Sequence, residues 1–353
     1  MTQINVALIG AGTISHCHMQ AYRKLPGVRV VAVCDINEER AEQFSRTYDI
    51  PHRYSNHRDL LSAEQLDAVS VVTWNNAHAP ITIDALQAGV HVLCEKPLAL
   101  NTAQALEMER AAGRSGKVLM PGFCTRYEEG ARLLKNMADS GELGKLYHVK
   151  ATFLRRCGNP GGWFADGTLS GGGPVIDLGV HVLDLARYFT GSPQALTVSA
   201  TVNRHIGSRA DVQAPGRYMS ADYAADTNVE DSAMALIRFD NGVALSFETS
   251  WSHHVKEDVL QMEVFGSRAG ASLYPHVEVS SDRFGYLTDT RSRHTNHEDS
   301  PNYDFDAEIA HFAACVRGEQ TPLCQPDDGV EIMRIVDAIY ASARLGREVQ
   351  VQR

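Results

Sequence analysis

Three side chains in this sequence suit proton and charge chemistry and sit where the chain can aim them. Lys96 lies in Glu95-Lys96-Pro97, where a charged pair leaves the apolar run Val90-His91-Val92-Leu93-Cys94 and a proline fixes the backbone immediately after. An ammonium on so short and rigid a connection can meet a substrate hydroxyl, although solvated Lys-Glu pairs are also common on surfaces. Asp177 and His181 follow Ser170-Gly171-Gly172-Gly173-Pro174 in a stretch whose apolar residues fit a helix. There Asp177, His181 and Asp184 stand at i, i+4 and i+7, which predicts one helical stripe. A lone histidine on a helix is more often structural than catalytic. Two carboxylates on adjacent turns alter that balance, because they can orient the imidazole and tune it towards neutrality. Gly179 beside the stripe predicts close approach of another backbone or a ligand.

The elements that must position these groups begin with Ile4 to Asp35. The apolar run Val6-Ala7-Leu8-Ile9 enters Gly10-Ala11-Gly12-Thr13-Ile14-Ser15, helix-compatible residues continue to Leu25, and a second apolar run, Val28 to Cys34, closes on Asp35. Strand, tight turn, helix, strand and acid form the unit that cradles a dinucleotide. The glycines let the backbone approach a pyrophosphate, and the N–H groups of the following helix favour negative charge. Asp35 lies twenty positions after Ser15, near the spacing of the acid that binds an adenine ribose. A carboxylate there repels a 2′-phosphate, so NAD is expected, with NADP kept open by the nearby Arg40. Ser15, where glycine or alanine is usual, is small enough to be tolerated.

Strand and helix then alternate. Helices are expected over Asn37 to Tyr48, Pro80 to Ala88 and Thr102 to Ser115, and strands over Ala68 to Thr73, Val90 to Cys94 and Lys117 to Met120. That alternation predicts a doubly wound parallel sheet, whose ligands bind beyond the carboxyl ends of its strands. At one such end, Thr73-Trp74-Asn75-Asn76-Ala77-His78 reads equally as cofactor contacts or as a polar loop capping the next helix. Beyond Gly122 the grammar changes. Strands are expected at Tyr147 to Arg155, Leu196 to Val202, Ser232 to Phe239, Val243 to Trp251, Val259 to Phe265 and Val277 to Ser281, with a hairpin at Asn241-Gly242. The fold class is therefore α/β: an N-terminal Rossmann domain over residues 1–122, then an α+β domain over 123–353 with a large open antiparallel sheet. Gly285 to Ser300 reads as a polar loop, and Asp304 to Arg317 and Asp327 to Leu345 as helices of the second domain.

The 353 residues suit two domains, and 44% hydrophobic with 22% charged residues describes a globular protein. A net charge of −10 without a basic tract argues against a nucleic-acid partner. No run of 18 apolar residues occurs, so no membrane span or signal peptide is expected. Seven scattered cysteines point to a reduced, cytoplasmic protein. No metal site is expected; His253-His254 would point to opposite faces of a strand.

Together, Gly10-Ala11-Gly12, Cys34-Asp35, Glu95-Lys96-Pro97 and Gly171-Gly172-Gly173 followed by Asp177-Leu178-Gly179-Val180-His181 resemble the Gfo/Idh/MocA family of NAD(P)-dependent oxidoreductases over nearly the whole chain. The resemblance implies Lys96 and His181 as a catalytic pair facing one nicotinamide ring from two domains, and Asp177 as a substrate-binding and catalytic residue. It implies a cofactor site of Gly10, Gly12, Thr13, Ile14, Asp35, Arg40, Thr73, Trp74, Asn75, His78, Glu95 and Lys96. Arg126, Tyr127 and Trp163 join Asp177 and His181 as candidate substrate contacts, with Arg155 and Arg156 as further candidates. The implied substrate is a sugar, cyclitol or related polyol, or its keto form, and the implied assembly a homodimer or homotetramer through the antiparallel sheet. Two alternatives are a glycosidase or lyase that oxidises transiently with bound NAD, and a regulator that senses a dinucleotide without turning it over.

Overall fold

In the computed structural model, which describes residues 3–209, 211–213, 218–220, 226–295 and 302–353, the chain forms two units. The first begins β1 (Ile4–Ile9), α1 (Thr13–Arg23), β2 (Val28–Cys34), α2 (Glu38–Tyr48), β3 (His52–Tyr54), α3 (His57–Ala63), β4 (Ala68–Val71), α4 (Asn75–Gln87), β5 (His91–Glu95), α5 (Thr102–Ser115) and β6 (Leu119–Gly122). Its sheet is parallel, in the order β3-β2-β1-β4-β5-β6. The apolar runs are continuous rather than alternating because both faces are covered; all four residues of β4 are buried. The order reverses direction between β1 and β4, which opens the crevice where such sheets take ligands.

The second unit contains α6 (Glu129–Asp139), β7 (Leu146–Leu154), the short α7 (Gly167–Ser170), a π turn (Val175–Gly179) running into α8 (Val180–Phe189), and then β8 (Ala195–Asn203), β9 (Ser232–Phe239), β10 (Ala244–Ser250), β11 (Val259–Gly266), β12 (Ala269–Ser272), β13 (His276–Arg283) and β14 (Tyr286–Thr295). Its nine strands lie in the order β14-β13-β12-β11-β7-β10-β9-β8-β15, the last being Val349–Gln350. The pairing is antiparallel except for β10 beside β7, which is parallel. Asn241-Gly242 does turn β9 into β10, with Gly242 at φ +87°. On β9 Ala233 and Ile237 are buried while Met234 and Leu236 are 50% and 38% exposed, so one sheet face is core and the other open.

Several expected boundaries move. α9 (Tyr303–Val316) and residues 302–330 cluster with the first unit, as do Phe123 to Tyr127, although all of them were expected in the second domain. The cause is packing: Ile309, Phe312 and Ala313 share a core with Met19, Tyr22 and Leu93. The last helix, α10 (Pro326–Leu345), crosses the boundary between Val330 and Glu331. Tyr286–Thr295 is a strand, paired with β13, where a loop was expected; residues 296–300 of that expectation lie outside the described residues. α4 starts five residues before Pro80, and the proline sits inside it.

Candidate active site

In the first unit the glycine turn is built by contact as much as by dihedral freedom. Gly10 adopts φ +107°, and a Cβ there would lie 2.1 Å from the Val72 carbonyl oxygen, far closer than any contact allows. Its N–H donates to the Cys34 carbonyl (2.7 Å) and its own carbonyl accepts from the Ser15 hydroxyl (2.8 Å). Ser15 is fully buried, so its hydroxyl ties the turn to the helix it opens. α2, α3 and α5 are capped by the side chains of Asn37, Asn56 and Asn101, whereas α1 starts at Gly12 with no side-chain cap and no atom within 4 Å of where a Cβ would stand. Thr13 and Ile14 are exposed beside it. An uncapped, unobstructed N-terminus at the strand-order reversal fits the pyrophosphate of a dinucleotide.

Asp35 closes the same crevice. Its Oδ2 accepts the Ala11 N–H (2.9 Å) and its Oδ1 the Asn37 N–H (2.8 Å), which aims the carboxylate and leaves lone-pair capacity on each oxygen for ribose hydroxyls. The Arg40 guanidinium stands 3.9 Å from Oδ2. At the end of β4, Thr73 and Trp74 lead into α4, and Asn75 is buried in its first turn. His78 is buried with Nδ1 2.7 Å from the Pro97 carbonyl and Nε2 3.2 Å from that of Thr73. Its ring sits between the end of β4 and the end of β5, where a neutral imidazole donates to one of the two carbonyls and helps to position this edge of the expected cofactor site.

Glu95 ends β5, buried. Its Oε1 meets Nε2 of the fully buried His18 at 2.9 Å, and its Oε2 accepts the Lys96 N–H at 3.1 Å. Burial alone would raise this carboxyl's pKa, yet the His18 hydrogen bond and the charges of His18, Lys96 and His78 together hold it below the ordinary value of 4.5. His18, Glu95 and Glu308 of α9 bring three ligand-type atoms within 4.8 Å, a buried ionisable network behind the strand end. His18 was not among the residues expected at this site. The signal was the stripe Ser15, His18, Met19, Tyr22 on α1, in which one imidazole interrupts a buried face. Lys96 itself is half-buried.

Arg126 and Tyr127, expected at the substrate, are absorbed by packing. Arg126 is 1% exposed, donating to the Leu323 carbonyl (2.8 Å) and pairing with Asp328 (3.1 Å). The buried Tyr127 hydroxyl reaches the Met120 sulfur at 3.8 Å, and burial pushes its pKa far above 10. Arg156 spends its guanidinium on the Lys256 carbonyl at 3.1 Å, and the Arg155 guanidinium lies 5.6 Å over the Phe153 ring. Trp163 remains half-exposed, its ring 3.9 Å from that of Phe164.

In the second unit every residue from Gly172 to Phe189 is buried except Asp177 and His181. The stripe expected to include Asp184 breaks, because the π turn alters the register of Asp177 and Asp184 is fully buried. Close approach at Gly179 comes from a side chain: a Cβ there would lie 2.7 Å from Cζ of Phe247. Asp177 is fixed by Trp251, whose indole N–H donates to Oδ2 at 2.9 Å. Trp251 is fully buried and packs with Leu178, Val229, Phe153 and Phe164. Read from sequence as the last residue of a strand, it carried no sign of this partner 74 positions away.

The family model described as the oxidoreductase family, NAD-binding Rossmann fold, matches residues 4–123, and that described as the GFO/IDH/MocA C-terminal domain matches residues 131–272. The D-glucoside 3-dehydrogenase of Escherichia coli (strain K12) is 34% identical over 351 residues, which cover 99% of this chain and 97% of that protein. The NAD(+)-dependent scyllo-inositol 2-dehydrogenase of Bacillus subtilis (strain 168) is 28% identical over 357 residues, 99% of this chain and 96% of the relative. The crystal structure of an oxidoreductase domain protein from Kribbella flavida shares the fold, with a TM-score of 0.88 at 23% identity over 100% of both chains.

Proposed function

We infer, from the premise that the chain belongs to the Gfo/Idh/MocA oxidoreductases and carries their NAD-binding Rossmann domain, that it is a dehydrogenase acting on a secondary alcohol of a sugar, cyclitol or related polyol. The observation that carries this reading is the second unit's glycine-led helix, buried along its length except for one carboxylate and one imidazole. Two of the relatives are named as dehydrogenases of a D-glucoside and of scyllo-inositol, which supports a polyol substrate.

Bound NAD supplies a hydride acceptor. The turn Gly10-Ala11-Gly12 and the N–H groups of Thr13 and Ile14 hold its pyrophosphate, and Asp35 its adenine ribose, with Arg40, Thr73, Trp74 and Asn75 completing the crevice. His181 takes the proton that the substrate hydroxyl must lose as its carbon becomes a carbonyl, the task of a base near neutrality. Lys96, as an ammonium, stabilises the negative charge that grows on that oxygen. Asp177, held by the Trp251 indole, accepts a hydrogen bond from a neighbouring hydroxyl, and Trp163 offers a sugar an apolar face. Asp35 favours NAD over NADP.

The open face of the nine-stranded sheet, with Met234 and Leu236 among Lys150, Ser199, Thr201 and Glu248, supports a homodimer or homotetramer. Light scattering is expected to return two or four chain masses. All seven cysteines are among the described residues and none forms a disulfide, in keeping with a reducing cytoplasm. No described helix is long and apolar enough to cross a membrane.

The test is a panel of pyranosides and inositols with NAD and with NADP, followed at 340 nm. Turnover is expected with NAD, and Lys96→Ala is expected to lower kcat by about 10² or more. Release of a free sugar with no change in absorbance, or unaltered kcat in that variant, would overturn the reading.

A further inference from the structure

Asp177 and His181 belong to a helix that does not hold its own beginning. The π turn starts after Pro174 with no side-chain cap, so its first N–H groups need partners from elsewhere. One carboxylate meets that need. Glu230, buried at 2% exposure just ahead of β9, accepts the Gly173 N–H on Oε2 (2.9 Å) and the Val175 N–H on Oε1 (3.2 Å), and Oε1 also accepts the Tyr340 hydroxyl of α10 (2.9 Å). A Cβ on Gly173 would overlap the Glu230 carbonyl oxygen, and one on Gly172 the Tyr340 hydroxyl. The triple glycine is therefore shaped to seat the helix on these two side chains. Burial and the neighbouring Glu230 raise the Tyr340 pKa well above 10, which keeps its hydroxyl a donor.

The next residue closes the circuit. The Asp231 carbonyl accepts the Trp251 backbone N–H (2.9 Å), and the Trp251 indole holds Asp177 (2.9 Å). The Glu230-Asp231 dipeptide thus grips the helix at its first turn and, through Trp251, grips the carboxylate that the helix presents. Two hydrogen bonds to N–H groups two residues apart fix both the rotation of a helix about its axis and its position along it.

We infer that Glu230, locked by Tyr340, is a positioning residue for Asp177 and His181 and thereby sets the rate of the chemical step. This rests on the reading of those two residues as catalytic. A geometric slip of about 1 Å can cost on the order of 10² in rate, so a loosened clamp should act on kcat while NAD binding, a property of the first unit, stays intact.

The experiment compares the full chain with Tyr340→Phe, Glu230→Gln and the double variant, each carrying 5-fluorotryptophan. The Trp251 resonance is assigned by Trp251→Phe, and kcat, substrate KM, NAD affinity and Tm are measured alongside. Tyr340→Phe, the milder change, is expected to lower kcat about tenfold and Glu230→Gln about a hundredfold, with NAD affinity within about twofold of wild type and a shifted Trp251 fluorine signal. The double variant should be no slower than Glu230→Gln alone within about twofold, because the two residues act as one unit. Three results would overturn the inference: unchanged kcat in Tyr340→Phe and Glu230→Gln, a fall in kcat with an unmoved fluorine signal, or a fall that NAD affinity and Tm share in proportion. Should the wild type turn over no sugar at all, the functional reading fails separately. The clamp is then judged by the fluorine signal of Tyr340→Phe, where a shift sustains it and no shift removes it.

Discussion

His78 illustrates how a residue with the look of a ligand contact can serve the scaffold. Its position after a strand end suggested a cofactor site, but its ring lies buried between the carbonyls of Pro97 and Thr73. Burial lowers its pKa from 6.5, although both carbonyls and Glu95 pull the other way. His91 is lowered too, first by burial and then by Lys117, and its Nδ1 accepts the Val118 N–H at 3.0 Å, which requires that nitrogen to be unprotonated. Both histidines bind protons more readily unfolded than folded. Stability should therefore be complete above pH 6.5 and fall as the pH drops below it, with a second loss below 4.5 as Glu95, whose folded pKa is depressed, takes up its proton. Urea midpoints at pH 7.5, 5.5 and 4 measure this; a midpoint flat from 7.5 to 5.5 would remove the histidine contribution. At this scale Lys96, Asp177 and His181, the proposed catalytic groups, could be singled out in the sequence because their motifs are local. His18, Glu230, Trp251 and Tyr340 were not, since what gives each its task is a partner tens of positions away.

Among elements, the parallel strands were the easiest to read, because strands buried on both faces appear as unbroken apolar runs ended by turn residues. β12, reading Ala-Gly-Ala-Ser, has no β-branched or aromatic residue to mark it, and the polar sequence of β14 looks like a loop. α4 was expected to begin at Pro80, since proline favours a first turn. It begins at Asn75 and gives up the rung that residue 80 cannot donate. α1 differs from its Asn-capped neighbours in leaving its N-terminus open at Gly12. Gly12 has φ −81°, which alanine adopts without strain, and open space around it. Gly12→Ala should therefore fold with stability within about 0.5 kcal/mol of wild type while NAD affinity falls at least about tenfold, because the methyl group stands where the pyrophosphate must approach. Calorimetric titration with NAD beside a urea curve separates the two effects. Unchanged affinity would mean that the dinucleotide does not lie on this turn.

For the whole molecule, composition and motif order indicated two domains, but not that the chain returns to the first after building most of the second. α9 cannot be assigned by its own periodicity, since what decides its place is the match of its buried face to α1, to residues 124–127 and to the core beneath. Ile309 and Phe312 are fully buried in that shared core, Asn302 donates to the Cys17 carbonyl (3.2 Å), and Lys24 pairs with Asp306 (2.6 Å). A fragment of residues 1–127 should consequently fail to give a cooperative unfolding transition, and Phe312→Ala in the full chain should cost about 3–5 kcal/mol. A fragment that melts cooperatively and binds NAD would return α9 to the second unit.

The most direct measurement is a single-turnover one. Enzyme saturated with NAD is mixed with the best sugar or cyclitol of the panel, and the rise at 340 nm is timed in wild type and in His181→Asn. The expected result is a burst slowed by at least about 10² in the variant, with NAD affinity unaltered. A burst of equal rate in both proteins would contradict the assignment of His181 as the base, and with it the hydride-transfer chemistry assigned to this helix.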